Sequence, residues 1–538
     1  MSSSHIIKSL DIIDSDTQNL IKKFLSSSTL PTIIDIAKFL KDTLNIDATT
    51  DADIIAGYNH DWSNLKGDAQ ALCRPISKVE CAIIMRVCYI LNISMTISAG
   101  RTNLTGSATP KGGMIISVTK MNNIGSIDYK NNTIDCSPGV YLEDLRTHII
   151  NESQNKLEFS VDPTSRKEAM VGGAISCNAS GFIPGEKGSM RYWINKLEFL
   201  LPNGEMIEII KGKHISNNGE FLIQKTNKTE TIIKVPTYNR VNLKNASGPF
   251  SSSDGKMDLI DLIIGSEGIF GCIIHSTLQL NDKPLDYLNL FIKLKNEEEA
   301  FNFYSYISTN LSHDMSKLSG FEYFGENCTS YMDHHDHLFN EKYSVGIYMQ
   351  IPIYNESMDD IVEVWYEIIM KFEYIIQDEQ ILSLNDPYNW KTFFEARHSI
   401  PANALQKSKE SKTASIITDT IVPPSTFSQF IKKIHQLIQN YEIDYLLFGH
   451  LGDCHLHFHL IPTKKNEIEA MDCYHKIIKI SSDFGGTYSA EHGTGKRKTQ
   501  DFIDCYGQDA VAQIINCKQG FDPDFLLNTG NVINKSES

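Results

Sequence analysis

The chain has 538 residues, too many for one hydrophobic core, so two or three domains are expected. Apolar residues make up 41% and charged residues 22%, the balance of an ordinary globular protein. The net charge of −16 speaks against nucleic acid as a partner, because phosphates call for a basic stripe.

No stretch approaches the roughly 20 apolar residues of a membrane span. The start, Met1-Ser2-Ser3-Ser4-His5, lacks the basic and apolar regions of a secretory signal. A cytoplasmic protein without a membrane span is the expectation, with peripheral association left open. Eleven cysteines, none in a CxxC pair, are expected to be reduced thiols.

In chain order, residues 1–45 read as an amphipathic helical lead-in, with Ile6, Leu10, Ile13, Leu20, Ile21 and Phe24 near helical spacing. Residues 46–282 alternate short apolar strands with helices and glycine-rich turns. A helix is predicted over Lys78–Leu91 and strands over Ile93–Ile97, Met114–Val118 and Thr133–Cys136. Lys196–Leu201 and Met206–Ile210 flank an Asn203-Gly204 turn and predict a hairpin.

From Lys283-Pro284 to about residue 500 a second domain is expected, an antiparallel sheet covered by helices. Its strands are placed at Leu285–Leu294, Ser344–Ile353 and Ser415–Val422, and its helices at Asn296–Leu311, Met358–Phe372, from Trp390, and at Ser425–Tyr441. Gly520–Asn531 is turn-rich, and residues 501–538 are expected to pack back on the first domain. The fold class read from this order is α+β.

Chemistry concentrates near the C-terminus. Gly449-His450-Leu451-Gly452-Asp453-Cys454-His455-Leu456-His457-Phe458-His459 carries four histidines, and Ser489-Ala490-Glu491-His492-Gly493-Thr494-Gly495 follows. His455, His457 and His459 alternate with Leu456, Phe458 and Leu460, which places the imidazoles on one strand face. Imidazoles with one carboxylate suit zinc and its first-row neighbours, and an open position lets the ion polarise a substrate hydroxyl. The run Lys496-Arg497-Lys498 reads as a solvated basic segment.

No GxGxxG follows the first strand, so a nicotinamide site of the Rossmann type is not supported. Three other glycine-dense turns stand out: Ser98–Ser107, Asp162–Ser165 with Val171–Gly181, and Gly265–Gly271. Small residues there let backbone N–H groups approach a pyrophosphate.

The order of these turns, with Gly185-Glu186-Lys187-Gly188 and Pro202-Asn203-Gly204-Glu205 between them, resembles the vanillyl-alcohol-oxidase-type (PCMH-type) FAD-binding fold. The histidine motif and Ser489-Ala490-Glu491-His492-Gly493 resemble those of the FAD-linked D-2-hydroxyacid dehydrogenases of D-lactate, glycolate and D-2-hydroxyglutarate. The likeness spans about residues 45–535.

It implies a PCMH-type FAD-binding domain of two α/β subdomains plus a C-terminal α+β cap. It also implies that Gly100, Arg101, Thr102, Asn103, Leu104, Thr105 and Gly106 cradle the FAD pyrophosphate. Pro163, Thr164, Gly172, Gly173, Ser176, Asn178 and Gly181 would line the phosphates and isoalloxazine, Glu267-Gly268 the adenine or ribose end, and Asn528 the flavin. Relatives that tether FAD covalently through the first loop carry a histidine there; Arg101 implies non-covalent FAD.

By the same likeness His450, His457 and Glu491 are the metal ligands, with Zn²⁺ expected and Mn²⁺ or Fe²⁺ as alternatives. His492 is the catalytic base and Arg397 the clamp for the substrate carboxylate. Cys454, His455 and His459 depart from the commonest motif and leave the metal's identity open. The run Ser415-Ile416-Ile417-Thr418-Asp419 lacks the lysine that many relatives use for a substrate carboxylate, which favours D-lactate over D-2-hydroxyglutarate. The electron acceptor stays open among cytochrome, quinone and electron-transfer flavoprotein. Two other readings are an alkyl-glycerone-phosphate-synthase-like flavoenzyme and a flavin- or metal-binding subunit of a dehydrogenase complex.

Overall fold

A computed structural model describes residues 6–26, 30–340, 342–375 and 377–534. Its first sheet runs Ala48–Thr49, Ala71–Cys73, Met114–Ser117, Met95–Ser98, parallel after the first pair. The crossover from Cys73 to Met95 is the helix Lys78–Ile90. Ser77 opens that helix by accepting the Glu80 amide, and Cys81, Ala82, Ile84, Met85, Val87 and Cys88 are buried along it.

A second sheet of five antiparallel strands runs Met206–Ile210, Ile194–Leu200, Cys272–Gln279, Thr133–Cys136, Ile124–Asp128. The Asn-Gly hairpin is present, with Met206 opposite Leu200 and Gly204 at φ +78°. These two sheets carry the glycine turns.

The cap is a seven-stranded antiparallel sheet: Ile381–Ser383, Asp286–Leu294, Val345–Ile353, Gly320–Phe324, Asp444–His450, His455–Ile461, Ile416–Ile417. The alternation in His455–Ile461 divides the cap. Leu456, Phe458 and Leu460 join the core with Phe301, Phe427, Ile434 and Ile477 from the helices Glu297–Asn310, Pro424–Tyr441 and Glu467–Asp483. Ile461, on the histidine side, packs with Ile400 and Ala404 of the helix Pro387–Glu410. The imidazoles therefore face the helix that carries Arg397.

Two expectations are corrected. The described part of the lead-in is not wholly helical: Ile6–Lys8 is a strand parallel to Glu220–Gln224, and two capped helices follow, Ser15–Leu25 and Ile33–Asp42, while residues 1–5 and 27–29 lie outside the described residues. Of Ser415–Val422 only Ile416–Ile417 joins the cap sheet; Asp419 and Ile421 bridge instead to Ser489 and Thr487, and Thr418, Asp419 and Thr420 are buried polar residues. A helix over Thr499–Phe521, kinked at Gly507, precedes the turn-rich tail, and Leu527 then pairs with Met95 of the first sheet. No helix among the described residues is long and apolar enough to cross a membrane.

Candidate active site

His450 ends one strand of a tight pair and faces His455 across it. A single turn, Leu451–Asp453, and Cys454 at φ +56° reverse the chain. Gly449 sits at φ +140°, and a Cβ there would lie 3.1 Å from Cδ2 of His457, so this position makes room for the imidazole.

Ligand atoms of His450, His457 and Glu491 all lie within 4.8 Å of one another, with His450 Nε2 3.7 Å from Glu491 Oε2. Bonds near 2.1 Å to a tetrahedral ion put ligand atoms about 3.4 Å apart, so this donor set fits such an ion after a small inward adjustment. Each ligand is also oriented from behind. His457 Nδ1 lies 2.9 Å from the Thr418 carbonyl, which leaves Nε2 for the ion. His450 Nδ1 lies 3.3 Å from Glu322 Oε1. Glu491 accepts the Ser180 hydroxyl at 3.0 Å and has Lys244 Nζ 4.0 Å from its Oε1, while Lys244 itself pairs with Asp453.

The electrostatics follow from burial opposed by these partners. Burial alone would raise Glu491, yet His450, His455 and Lys244 draw it down to about 2. Burial, with the neighbouring His455, His492 and His450, holds His457 neutral at about 3. Burial also lowers His492, against the pull of Asp419.

Asp419 is the hub of the next layer. It accepts the amides of Glu491 at 3.2 Å and His492 at 3.0 Å, the Ser489 hydroxyl at 2.8 Å and Lys498 Nζ at 3.0 Å. It also lies 3.2 Å from His455 Nε2 and 3.5 Å from His492 Nδ1.

His450, Glu491 and His492 open on a cavity of about 440 Å³ whose other walls are the glycine turns. Gly100, Arg101, Thr102, Asn103, Leu104, Pro163, Thr164, Gly172, Gly173, Ser176, Gly181, Glu267, Gly268 and Asn528 all line it. Among the described residues the amides of residues 101–104 donate to no protein acceptor, an arrangement suited to a pyrophosphate. Gly100 packs so closely that a Cβ would lie 2.2 Å from the Glu168 carbonyl oxygen. The backbone wall thus fits FAD.

Thr105, Gly106 and Asn178 stand behind this wall. Thr105 and Gly106 accept from Lys496, whose amide lies 2.8 Å from the Thr105 carbonyl and whose Nζ lies 3.2 Å from the Gly106 carbonyl. Asn178 bonds the Asn245 carbonyl and the Arg191 amide.

Several sequence readings change here. The Glu267-Gly268 turn lines the cavity, while the Glu267 carboxylate accepts the amides of Thr494 and Gly495, at 2.7 and 2.8 Å, and the Ser107 hydroxyl, and so ties the loops together. Asn528 is a second tie, accepting the Ile97 amide and donating to the Glu267 carbonyl.

Arg397, expected as a substrate clamp, grips Glu322 with Nε and Nη2 at 2.5 and 2.7 Å and lies over the Phe182 ring. Only its Nη1 edge remains without a protein acceptor. Lys496 and Lys498 turn inward, so the basic run is not a solvated face. Cys454 Sγ points to the Tyr304 hydroxyl at 3.3 Å and His459 is buried, and among the described residues neither belongs to a group that could hold an ion. His455 and Asp419 form an adjacent candidate set with His457. Glu322 and Lys244 sit in segments with no motif of their own, and Ser180 and Asp419 lie in segments singled out for other reasons, so sequence spacing assigned none of the four a place behind the ligands.

Among solved structures the chain is similar to 4-ethylphenol oxidase from Gulosibacter chungangensis (TM-score 0.65, 15% identity, 98% of this chain and 99% of that one). It is also similar to p-cresol methylhydroxylase (TM-score 0.64, 14%, 98% and 99%) and to an alkyldihydroxyacetonephosphate synthase (TM-score 0.61, 14%, 96% and 86%). The fold is that of the PCMH-type flavoproteins.

Residues 69–210 match the FAD binding domain model, and residues 362–532 match FAD linked oxidases, C-terminal domain. Curated relatives include a D-lactate dehydrogenase of Anaerostipes hadrus, 26% identical over 89% of this chain and 93% of that protein. The glycolate oxidase subunit GlcD of Bacillus subtilis is 25% identical over 86% and 89%, and a D-2-hydroxyglutarate dehydrogenase of Xanthomonas citri 23% over 88% and 92%. The chain thus carries the FAD-binding domain and the C-terminal domain of the FAD-linked oxidases, and it is similar along most of its length to D-lactate, glycolate and D-2-hydroxyglutarate enzymes.

Proposed function

We propose that this protein oxidises a D-2-hydroxy acid, D-lactate foremost, to the 2-oxo acid, with non-covalent FAD and a divalent ion, Zn²⁺ by preference. One observation carries the reading: the glycine walls and the His450, Glu491 and His492 side chains open on the same cavity. FAD, when bound, supplies the acceptor for the two electrons and the hydrogen leaving C2 of the substrate. The ion that His450, His457 and Glu491 would hold supplies a Lewis acid for the substrate hydroxyl.

The chain's own residues do the rest. His492, kept neutral by burial, is ready to take the hydroxyl proton, and Asp419, 3.5 Å from Nδ1, fixes the ring and meets the positive charge that results. Arg397, which does not itself line the cavity but packs on Phe182, which does, is the proposed donor for the substrate carboxylate through Nη1, with Glu322 holding the guanidinium in place. Phe182, between Arg397 and His450, gives this end an apolar wall suited to a small C3 group. The missing lysine before Asp419 also favours a monocarboxylate. A cytoplasmic site of action and an external acceptor, a cytochrome, a quinone or electron-transfer flavoprotein, complete the proposal.

The test is anaerobic bleaching of the FAD- and zinc-loaded protein by D-lactate, L-lactate, glycolate and D-2-hydroxyglutarate. D-lactate is expected to bleach the flavin fastest and L-lactate to leave it oxidised. Flavin that stays yellow with every D-2-hydroxy acid overturns the activity. Faster bleaching by D-2-hydroxyglutarate overturns only the substrate.

A further inference from the structure

On the far side of Lys244 from the ion set lies a second cavity of about 530 Å³. The chain as a whole carries −16, yet four cations line this space, Arg191, Lys211, Arg240 and Lys244, against two carboxylates, Glu186 and Asp261. Two of the cations are neutralised: Lys244 pairs with Asp453, and Arg191 lies 3.0 Å from Asp261 and donates to the carbonyls of Asp261 and Ile264.

Among the described residues the other two have no carboxylate within ion-pair distance, Lys211 feeling Asp261, Asp258 and Glu186 only from farther off. Arg240 reaches only the Asn245 carbonyl, at 2.9 Å, and its Nε is buried with no acceptor. Lys211 donates only to the carbonyls of Arg191 and Tyr192, at 3.3 and 3.0 Å.

Arg191 and Arg240 also pack on one ring, with guanidinium carbons 4.5 and 5.1 Å from the Phe250 centroid. Asp261 balances Arg191 in this pair, whereas Arg240 brings a second positive charge to the same ring that an anion in the cavity would balance. Burial, together with Arg240, accordingly draws Arg191 down to about 10 in spite of Asp261.

We propose that this cavity binds a small phosphate monoester, with Arg240 and Lys211 as its charged anchors. Two unpaired cations match a dianion, and a guanidinium edge meets phosphate oxygens with directed donors. The space exceeds what a phosphate group fills, so it leaves room for an organic body beside the exposed Tyr192 ring. The site is separate from the flavin cleft, and Lys244 forms the wall between it and Glu491.

Isothermal titration of the FAD- and zinc-loaded protein with glucose 6-phosphate tests the assignment, with inorganic phosphate, glucose and citrate as comparisons. Glucose 6-phosphate is expected to bind one to one, inorganic phosphate more weakly, and glucose not at all. Lys211→Ala and Arg240→Ala should each weaken binding at least tenfold, and Arg240→Lys should recover part of the loss. Lys211 is exposed, so its variant keeps the fold even if Arg240→Ala does not. No binding of glucose 6-phosphate, affinity unchanged in Lys211→Ala, or citrate binding as tightly as the phosphate ester would each overturn the proposal.

Discussion

Replacing Glu322 by Gln removes one charge from the middle of a relay that runs from Arg397 to the candidate ion. The carboxylate is 3% exposed, holds Arg397 at 2.5 and 2.7 Å, and stands 3.3 Å from His450 Nδ1. Burial alone would raise its pKa; Arg397 and His450 hold it well below the usual carboxylate range.

Glutamine keeps the shape but turns an NH₂ toward donors and leaves the guanidinium without its anion. Breaking a buried pair costs about 3–5 kcal/mol, and the partial exposure of Arg397 puts this one near 3. At about 2–4 °C per kcal/mol, the melting temperature of the metal-free protein should fall by roughly 6–12 °C. Removing an oriented partner from a ligating imidazole weakens metal binding by about 10–100-fold, or about 1.4–2.7 kcal/mol. Competition against a chromophoric zinc chelator, run beside circular-dichroism melting, reads both effects. A folded Glu322→Gln protein whose zinc affinity stays within about twofold of the parent refutes the relay.

Other substitutions probe the flavin wall, the base and the charge hub. Gly100→Ala drives a methyl into the Glu168 carbonyl and should weaken FAD by about 5–150-fold, the equivalent of about 1–3 kcal/mol of overpacking, in a fluorescence titration of apoprotein. Gly57→Ala, whose Cβ meets only the Ile54 carbonyl at 3.6 Å, should leave FAD binding unchanged. His492→Ala should retain flavin and zinc while turnover drops by about 10²–10⁴-fold, and near-normal turnover removes His492 from the base role.

Burial would raise Asp419, but His492, Lys498 and His455 hold it well below 3.8. A depressed carboxylate stabilises the fold above its unfolded pKa, and that contribution is lost as pH falls through the folded value. The melting-temperature gap between the parent and Asp419→Asn should therefore be widest above about pH 4 and narrow toward pH 2. A gap that widens on acidification contradicts this.

Much of the fold was legible because local patterns agree with the global result. The Lys78 helix starts at a serine cap, and the Asn203-Gly204 turn sits between paired strands. The helix Thr499–Phe521 was hidden because Gly507 interrupts it and Asp501 and Lys518 lie buried within it, blurring the apolar period. Residues 418–420 read as strand because their neighbours are apolar, whereas the backbone turns to deliver Asp419 to the site.

The histidine spacing was legible for a similar reason: a strand of period two puts His455, His457 and His459 on one face. What that pattern did not carry was the second layer. Glu322, Lys244 and Ser180 reach the ligands from separate segments, and Arg397 looked free because nothing near it in sequence reveals a distant Glu322.

The central claim is that flavin and ion share one cleft. Diffraction from crystals grown with FAD and zinc, collected on both sides of the zinc absorption edge, tests it most directly. An anomalous peak bounded by His450, His457 and Glu491 is expected, with the isoalloxazine in the same cavity beside His492. A peak centred on Asp419 and His455, or a flavin bound away from the glycine walls, contradicts it.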